Sequence, residues 1–549
     1  MAYIKEKLEK NGFNYLDDLW LYMTCDVKHV EFMKLNRNKD ETFNVNEEQL
    51  WNIAFDMACK LEHTKIVEEL LKYKDKNNFE INEKNIDNML RVAYKNGSIK
   101  SIAYIDRNIN TQNIISNMIF YKEVYLILAC KYNNVELVKH LITYTNKIKI
   151  AINIHLNKEE AFIHACTNNN IELVEILLRY SKKIHSKINI HESDELAFIT
   201  ACTNNNFKMV ECLLAYGISN DDKIDIHIKN DLAFNIVCRN NNIELVKYLI
   251  NYCNVYLSRI DMTKSGALFL QNACRNNNLE IVETIINYCK NTSQKLDIHA
   301  EDEYAFILSC VNSNNIDLPK YLIEYCELGK TDIDIHAYYE TPVRLACRSN
   351  NIELVKYLIE YGERKKNKIN IHVLAEECFR IACKNNNMEL AQYLIEYSEK
   401  NGNRIDINAF DNQAFQSACK NNNMKMVHYL IRYTKKYGNN INIHSCDEKA
   451  FISACDNINN IELVKFLINF GEQHENEIDI HAQQEQAFRN ACKNNNMELI
   501  YYLIELSKKK KTKIDIHADS DYSFKIAITN KNFELLEYLI KYDKETDNI

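Results

Sequence analysis

Proline and glycine are scarce in this chain, whose 549 residues include 2 prolines and 9 glycines. Linkers between domains are commonly rich in glycine or proline. Their scarcity leaves little material for flexible joints between separate domains. We therefore expect one continuous helical array, although the length alone would suggest roughly three to four domains.

Long apolar runs and an excess of positive charge are also missing. The formal net charge is −8, which is unlike that of a basic nucleic-acid-binding domain. The first residues, MAYIKEKLEK, lack the apolar core of a signal peptide, and no apolar run approaches the length of a membrane span. The sequence therefore predicts a cytoplasmic protein with neither nucleic acid nor a membrane as its partner.

Cysteine, by contrast, is abundant, and eleven of the 19 cysteines recur at intervals of 36 or 37 residues. They are Cys130, Cys166, Cys202, Cys238, Cys274, Cys310, Cys347, Cys383, Cys419, Cys455 and Cys492. Equivalent residues of stacked repeats lie about 8–10 Å apart, whereas a disulfide needs Cα atoms within about 7 Å. We therefore predict reduced, buried cysteines, as a reducing compartment permits.

Nearly the whole chain consists of imperfect copies of one unit, which residues 336–362 show as HAYYETPVRLACRSNNIELVKYLIEYG. One face of a first helix is marked by two residues before each register cysteine. An apolar residue stands four positions before the cysteine and a small residue directly before it, as do Phe162 and Ala165 before Cys166. A second helix follows, with a wide apolar stripe. The register predicts 14 repeats of about 36 residues over residues 46–549, behind a divergent N-terminal cap at residues 1–45.

Two short segments join the helices of these repeats. Asparagine clusters such as 168–170 tolerate left-handed backbone where the first helix ends and cap the start of the second helix. Alternation of isoleucine with polar residues, as in Ile188–His191, predicts a brief strand-like finger between helix pairs.

The repeat resembles the ankyrin repeat at three places. TPVRLAC at 341–347 is similar to the family's Thr-Pro-Leu-His-Leu-Ala-Ala opener, IELVKYLIEYG at 352–362 to its second helix, and Ile407-Asn408-Ala409 to its Val-Asn-Ala finger. The resemblance implies an all-α ankyrin-repeat solenoid of about 14 repeats with short extended fingers. It also implies recognition of proteins through the fingers and the concave helix surface, without catalysis.

Some features depart from the family's usual pattern. The repeat has 36 residues rather than 33, and asparagines replace the Gly-His between the helices. Fingers that read Ile-His-Ala and turns that read Asn-Asn-Asn resemble the ankyrin-repeat proteins of giant DNA viruses of amoebae. That narrower resemblance implies partners among host proteins and a location in the host cytoplasm.

Nine histidines share one place in the fingers, which first suggests a metal ladder. They are His155, His191, His227, His299, His336, His372, His444, His481 and His517. Zinc needs about four ligands around one ion, and one histidine per layer cannot supply them. We predict hydrogen-bonding histidines instead, since Asn408 replaces one of them, and we expect no metal and no cofactor.

Motifs of catalysis are equally lacking, because no GxSxG, P-loop, HExxH or CxxC occurs. Acid pairs such as Glu159-Glu160 and Asp194-Glu195 recur near the start of the first helix. Acids in a first turn interact favourably with the helix dipole, so we assign them that role and predict that the chain is not an enzyme.

Candidate partner-binding residues lie at or near the most variable places of the repeat, just after the finger histidine and at the two positions of the first helix before the Ala-Cys pair. Aromatic residues and arginine are favoured anchors of interfaces. The candidates are Tyr304, Tyr338, Tyr339, Arg344 and Phe410. The alternative is that they are ordinary, partly buried aromatics of a tyrosine-rich chain.

Three functions agree with these features. The first is a monomeric adaptor that binds one or more proteins, and the second is a structural or self-assembling component. The third is a substrate-recruiting subunit of a ubiquitin ligase. It is the least favoured, because residues 1–45 show no F-box motif and the last repeat ends close to Ile549. The mass in solution separates the first two, since an adaptor is expected to be monomeric.

Overall fold

The computed structural model describes residue 55 and residues 122–311, 315–457 and 461–546, and every regular element within these ranges is a helix. The first helices of the repeats are α1 (122–131), α3 (Leu156–Thr167), α5 (Glu192–Thr203), α7 (Ile228–Arg239), α9 (Gly266–Arg275), α11 (Ala300–Ser309), α13 (Ala337–Arg348), α15 (Val373–Lys384), α17 (Ala409–Lys420), α19 (Ser445–Cys455), α21 (Ala482–Lys493) and α23 (Ala518–Thr529). The second helices are α2 (Val135–Lys147), α4 (Ile171–Lys183), α6 (Phe207–Ser219), α8 (Ile243–Tyr256), α10 (Leu279–Thr292), α12 (Asp317–Leu328), α14 (Ile352–Arg364), α16 (Met388–Lys400), α18 (Met424–Lys436), α20 (Glu462–Gln473), α22 (Met497–Lys509) and α24 (Phe533–Thr546). The predicted all-α class is confirmed.

The predicted register of the helix pairs holds throughout the described ranges, which contain twelve pairs. The predicted cap at residues 1–45 and, apart from Phe55, the first two predicted repeats lie outside the described residues. The total of 14 repeats and the boundary near residue 46 therefore stay predictions.

The chain divides into two units, Met1–Asp261 and Met262–Ile549. In the first unit α3 packs on α5 and α5 packs on α7. Each of these three helices also packs on the second helix of its own repeat. In the second unit the same packing of successive first helices runs from α9 to α23. Each unit is a helical-repeat solenoid in which a repeat contacts its sequence neighbours.

The core of each repeat forms where the first helix faces the second. In the α3–α4 pair, Phe162, Cys166, Leu173 and Leu177 are all buried. All eleven register cysteines are buried and free of disulfides, as predicted. Burial raises the pKa of the Cys130 thiol to about 12, because an apolar interior disfavours the thiolate.

The asparagine clusters serve both predicted roles. The middle residue, Asn169, has a φ of 57°, and the Asn170 side chain accepts a hydrogen bond from the Leu173 N–H at 3.1 Å. The structure adds bonds between repeats: Asn168 Nδ2 donates to the Cys130 carbonyl at 2.7 Å, and Asn170 Nδ2 donates to Asn133 Oδ1 at 2.7 Å. The clusters therefore cap helices and tie each repeat to the previous one.

The fingers are the short extended segments that the sequence predicts, and they form no strand among the described residues. Ile188 and Ile190 are buried while Asn189 between them is exposed, as the alternation predicts. The Asn189 side chain accepts from the His191 N–H at 3.1 Å. Local side-chain bonds thus satisfy polar groups that a sheet would pair between strands.

Candidate functional site: the left-handed turns of the fingers

Each finger histidine of the described repeats pairs with an acid four residues later. The pairs are His155–Glu159, His191–Glu195, His227–Asp231, His299–Glu303, His336–Glu340, His372–Glu376, His444–Glu448, His481–Glu485 and His517–Asp521. His191 is typical, since its Nδ1 lies 2.6 Å from Glu195 Oε1. Partial burial alone would lower the pKa of His191, but hydrogen bonds to Glu195 and Asp222 outweigh it and raise the pKa. The predicted hydrogen-bonding role of the histidines is confirmed.

In eight of the nine pairs the acid also reaches the next repeat. Glu195 Oε1 accepts the N–H of Asp225, in the following finger, at 3.0 Å, and Glu159 Oε1 accepts that of Asn189 at 3.0 Å. Glu159 and Glu195 lie in the first turn of their helices, as predicted, and both are buried. They also form the interior link between one finger and the next.

The residues between histidine and acid form one turn of left-handed backbone. After His336, the φ values of Tyr338, Tyr339 and Glu340 are 49°, 57° and 61°, and the Glu340 N–H closes the turn on the His336 carbonyl at 3.1 Å. Left-handed φ costs a non-glycine residue roughly 1–2 kcal/mol. No glycine occupies any of these turns, so the surrounding structure must impose the conformation.

The repeat that begins at Thr263 shows what imposes this conformation. Threonine replaces the histidine there, Ala267 replaces the acid, and residues 263–267 include no positive φ. Asn408 and Asn412 replace both members of the pair in another repeat, and that repeat keeps the turn. A polar pair at these two places therefore accompanies the left-handed turn. Where the pair is histidine and acid, as at His191 and Glu195, its hydrogen bonds offset the strain.

Arginine side chains hold three of the turns from inside the first helix. Arg380 donates to the carbonyls of Leu374 and Ala375 at 2.8 and 2.7 Å, and its guanidinium lies 4.4 Å from the ring centroid of Phe410 in the next repeat. Arg489 makes the same pair of carbonyl bonds in its own repeat. The guanidinium satisfies two backbone acceptors that the left-handed turn leaves open.

Arg344 is the third of these arginines. Its guanidinium contacts the carbonyls of Tyr338 and Tyr339 at 3.4 and 3.3 Å, and its Nε donates to Glu377 of the next repeat at 2.5 Å. Burial alone would raise the pKa of Glu377, but the hydrogen bonds from Arg344 and Arg348 outweigh it and hold the pKa below its usual range. With its side chain only 14% exposed, Arg344 holds the turn in place.

Three consecutive turns present large apolar side chains to solvent. Tyr338, Tyr339, Leu374 and Phe410 are 54%, 77%, 52% and 63% exposed. We call these four residues the apolar row. Among the other described left-handed turns, the place of Tyr338 and Phe410 holds polar residues or one cysteine: Asn157, Ser193, Lys229, Glu301, Cys446, Gln483 and Asp519. The patch is therefore confined to three neighbouring repeats of the second unit.

The structure brings three of the five predicted partner-binding residues together in this row: Tyr338, Tyr339 and Phe410. Arg344 contacts the backbone of the turn that carries Tyr338 and Tyr339, and Tyr304 is half-buried on α11 of the preceding repeat. Sequence reasoning missed Leu374. Comparing the second residue after each finger histidine would have found it, because Leu374 lies 36 residues from both Tyr338 and Phe410.

Family models match three segments of the chain. Residues 126–230 match ankyrin repeats in three copies, residues 338–371 a single ankyrin repeat, and residues 379–431 ankyrin repeats in many copies. These segments are ankyrin repeats. The predicted fold class, an ankyrin-repeat solenoid, is thereby confirmed. Ankyrin repeats generally mediate interactions between proteins and are typically non-catalytic.

Other comparisons are remote. No curated protein matches the chain, so the narrower resemblance to viral ankyrin-repeat proteins stays a prediction. The solved structures include the pentatricopeptide repeat protein PPR10 from maize, with 9% identity over 92% of this chain and 71% of that chain, at a TM-score of 0.28. PPR10 in complex with an 18-nucleotide RNA element has 8% identity over 99% and 82%, at a TM-score of 0.30. Such low TM-scores carry no argument about function.

Two further features bear on the chemistry of the ankyrin array. Within the described ranges, no group of three or more histidines, cysteines or acids is arranged to hold a metal ion. No helix in those ranges combines the length and apolar character needed to cross a membrane.

Proposed function

We propose that the chain is a non-catalytic scaffold that binds a partner protein through the left-handed turns of its fingers, with the apolar row at the centre. The observation that carries this proposal is the set of four exposed apolar side chains on three consecutive strained turns. Backbone strain is commonly stored at functional sites, and exposed aromatics are frequent anchors of interfaces. Ankyrin repeats elsewhere in the family serve the same general purpose.

The residues have distinct roles in this proposal. Tyr338, Tyr339, Leu374 and Phe410 contact the partner, and Tyr304 lies at the edge of the contact. Arg344 positions the turn that carries the two tyrosines. The sequence resemblance to viral proteins supports a host protein as the partner, which the chain would bind as a monomer in the host cytoplasm. The exclusion of nucleic acid as a partner also rests on the sequence.

Affinity capture from a host-cell lysate tests the proposal. The row variant Tyr338→Asn/Leu374→Asn/Phe410→Asn removes apolar surface, and asparagine tolerates left-handed backbone, so the turns should persist. The matched control Ser193→Asn/Lys229→Asn/Gln483→Asn changes the same place in three other turns. A protein retained by the wild type and the control but lost by the row variant supports the proposal.

Other outcomes would contradict it. A partner that the row variant retains would show that the row is not the contact, and a protein that polymerises with concentration would favour a structural component. Recovery of ligase subunits together with the partner would favour the recruiting role instead.

A further inference from the structure

We infer that the partner's contact segment is basic and extended, with an apolar residue at every third position in a polyproline II conformation; this inference rests on the proposed function. The chemistry of five successive turns in the second unit supports it. The charges on these turns, their backbone hydrogen bonds and their spacing each restrict the partner in a different way.

Charge comes first, because the row lies between acids. Five successive turns, from the one after His299 to the one after His444, each expose the second and third residues after the finger residue. These ten places together hold four acids and no base. The acids, all exposed, are Glu301, Asp302, Asp411 and Asp447. The corresponding places in the first unit include Lys158 and Lys229. The row is thus an apolar strip with negative charge at both ends, which complements positive charge at both ends of a ligand.

The arginines near the row are bound to turn carbonyls or to an acid. Arg344 and Arg380 are directed at turn carbonyls, and Arg348 pairs with Glu377. The Tyr338 hydroxyl donates to Asp302 at 3.3 Å, and the negative charge of Asp302 raises the pKa of Tyr338. The negative potential therefore extends to the edge of the apolar row itself.

The backbone of these turns is already hydrogen-bonded. Arg380 occupies the carbonyls of Leu374 and Ala375, and Gln483 donates to those of Cys446 and Asp447 at 3.1 and 2.8 Å. These carbonyl oxygens are therefore already hydrogen-bonded within the chain and are poorly available to the backbone of a partner strand. These bonds favour recognition through side chains, by apolar contact along the row and by charge at its ends.

The spacing of the row selects the conformation of the segment. Equivalent places on packed helices of neighbouring repeats lie about 8–10 Å apart. A polyproline II helix rises about 3.1 Å per residue with three residues per turn, so every third side chain recurs at a matching distance. Same-face residues of a β-strand recur at about 6.7 Å, which does not match. Aromatic surfaces also bind proline-rich polyproline II segments well, because the segment is already ordered.

Selection from a random peptide display library tests the inference directly. The full chain is the bait, and the row variant serves for counter-selection. Row-dependent peptides with lysine or arginine at the ends and proline or another apolar residue at every third position would support the inference. Row-dependent peptides with a helical apolar period or acidic ends would overturn it while leaving the docking row in place. Peptides that bind both baits equally, or a selection that yields none, would count against both proposals.

A synthetic peptide of the inferred type then gives the magnitudes by fluorescence anisotropy. We expect the row variant to weaken its binding at least about tenfold, and Asp302→Asn/Asp411→Asn/Asp447→Asn to weaken it about threefold or more, with a smaller dependence on salt. The control Asp194→Asn, on a turn of the first unit, should change nothing. Unchanged affinity in the acid variant would overturn the role of charge.

Discussion

Single residues in the left-handed turns carry backbone strain that glycine would relieve. Ala375 has a φ of 53°. Replacing it with glycine removes roughly 1–2 kcal/mol of strain and loses about 0.5–1 kcal/mol through the entropy of the unfolded chain. We expect Ala375→Gly to stabilise the protein by up to about 1.5 kcal/mol in denaturant unfolding.

The matched control for that substitution is Ala215→Gly. Ala215 is exposed in the right-handed helix α6, where only the entropic loss applies, so we expect about 0.5–1 kcal/mol of destabilisation. Equal destabilisation by both substitutions would show that the Ala375 turn is not left-handed.

The histidine–acid pairs predict a dependence of stability on pH. A hydrogen bond to Asp231 raises the pKa of His227. The stabilisation by this pair is therefore complete below the unfolded pKa of about 6.5 and is lost as the pH rises through the folded pKa. The variant His227→Asn/Asp231→Asn reproduces the pair found at Asn408 and Asn412 and does not titrate.

Hydrogen-exchange protection of the α7 amides, corrected for intrinsic exchange, measures this effect. The advantage of the wild type over the double variant should shrink from about pH 6 to about pH 8. An advantage that stays constant over this range would mean that the charge of His227 does not contribute.

At the scale of elements, the arginine beneath a turn couples the first helix to the finger. Arg380→Ile removes both carbonyl bonds and the contact with Phe410. Isoleucine occupies the same place in other repeats, at Ile163 for instance, so the helix itself tolerates it. We therefore expect thermal or denaturant unfolding to show a loss of about 1–2 kcal/mol in the free energy of unfolding, from the missing hydrogen bonds alone.

Arg380→Gln is the conservative comparison. Gln416, one repeat later, donates to the Asp411 carbonyl at 2.7 Å from the equivalent place. Glutamine at residue 380 should therefore keep one of the bonds and lose less stability than isoleucine. Equal losses for the two variants would contradict the role assigned to the hydrogen bonds.

The sequence predicted the helices well because their signals are local. The 36-residue register located helix pairs, and asparagine propensities predicted the left-handed residue Asn169 and the cap Asn170. The turn at Tyr338 and Tyr339 could not be predicted in this way, since neither residue favours positive φ. Its stability comes from a buried acid whose backbone partner lies about thirty residues later, as with Glu340 Oε1 and the Asn370 N–H at 3.1 Å.

The candidate site could be predicted only in part. Tyr338, Tyr339 and Phe410 were found because aromatic residues stood at variable places. The role of Arg344 could not be read from the sequence, since arginine suits both an interface and a contact with backbone carbonyls. Only the folded turn shows that Nη1 of Arg344 points at the carbonyls of its own repeat while Nε donates to Glu377 of the next.

At the scale of the whole molecule, stability is expected to be local, because each repeat contacts its sequence neighbours. Phe379 is fully buried in α15, and Phe379→Ala should cost its surroundings about 3–5 kcal/mol. We expect faster thiol labelling at Cys383 and Cys419, measured by mass spectrometry, with no change at Cys166.

That labelling needs a low background. Cys446 is exposed, so Cys446→Ser in both proteins removes a rapidly reacting thiol. Equal acceleration at Cys166 and Cys383 would show that the chain unfolds as a single cooperative unit, against the expectation for a solenoid.

The measurement that tests the central claim most directly is photo-crosslinking from inside a turn. A benzoylphenylalanine residue placed at Tyr339 reports what touches the apolar row, and the same residue at Asp194 reports the equivalent exposed place in the first unit. We predict a crosslinked partner protein from position 339 in host lysate and none from position 194. Adducts of equal yield from both positions, or from position 194 alone, would contradict the assignment of the binding surface to the apolar row.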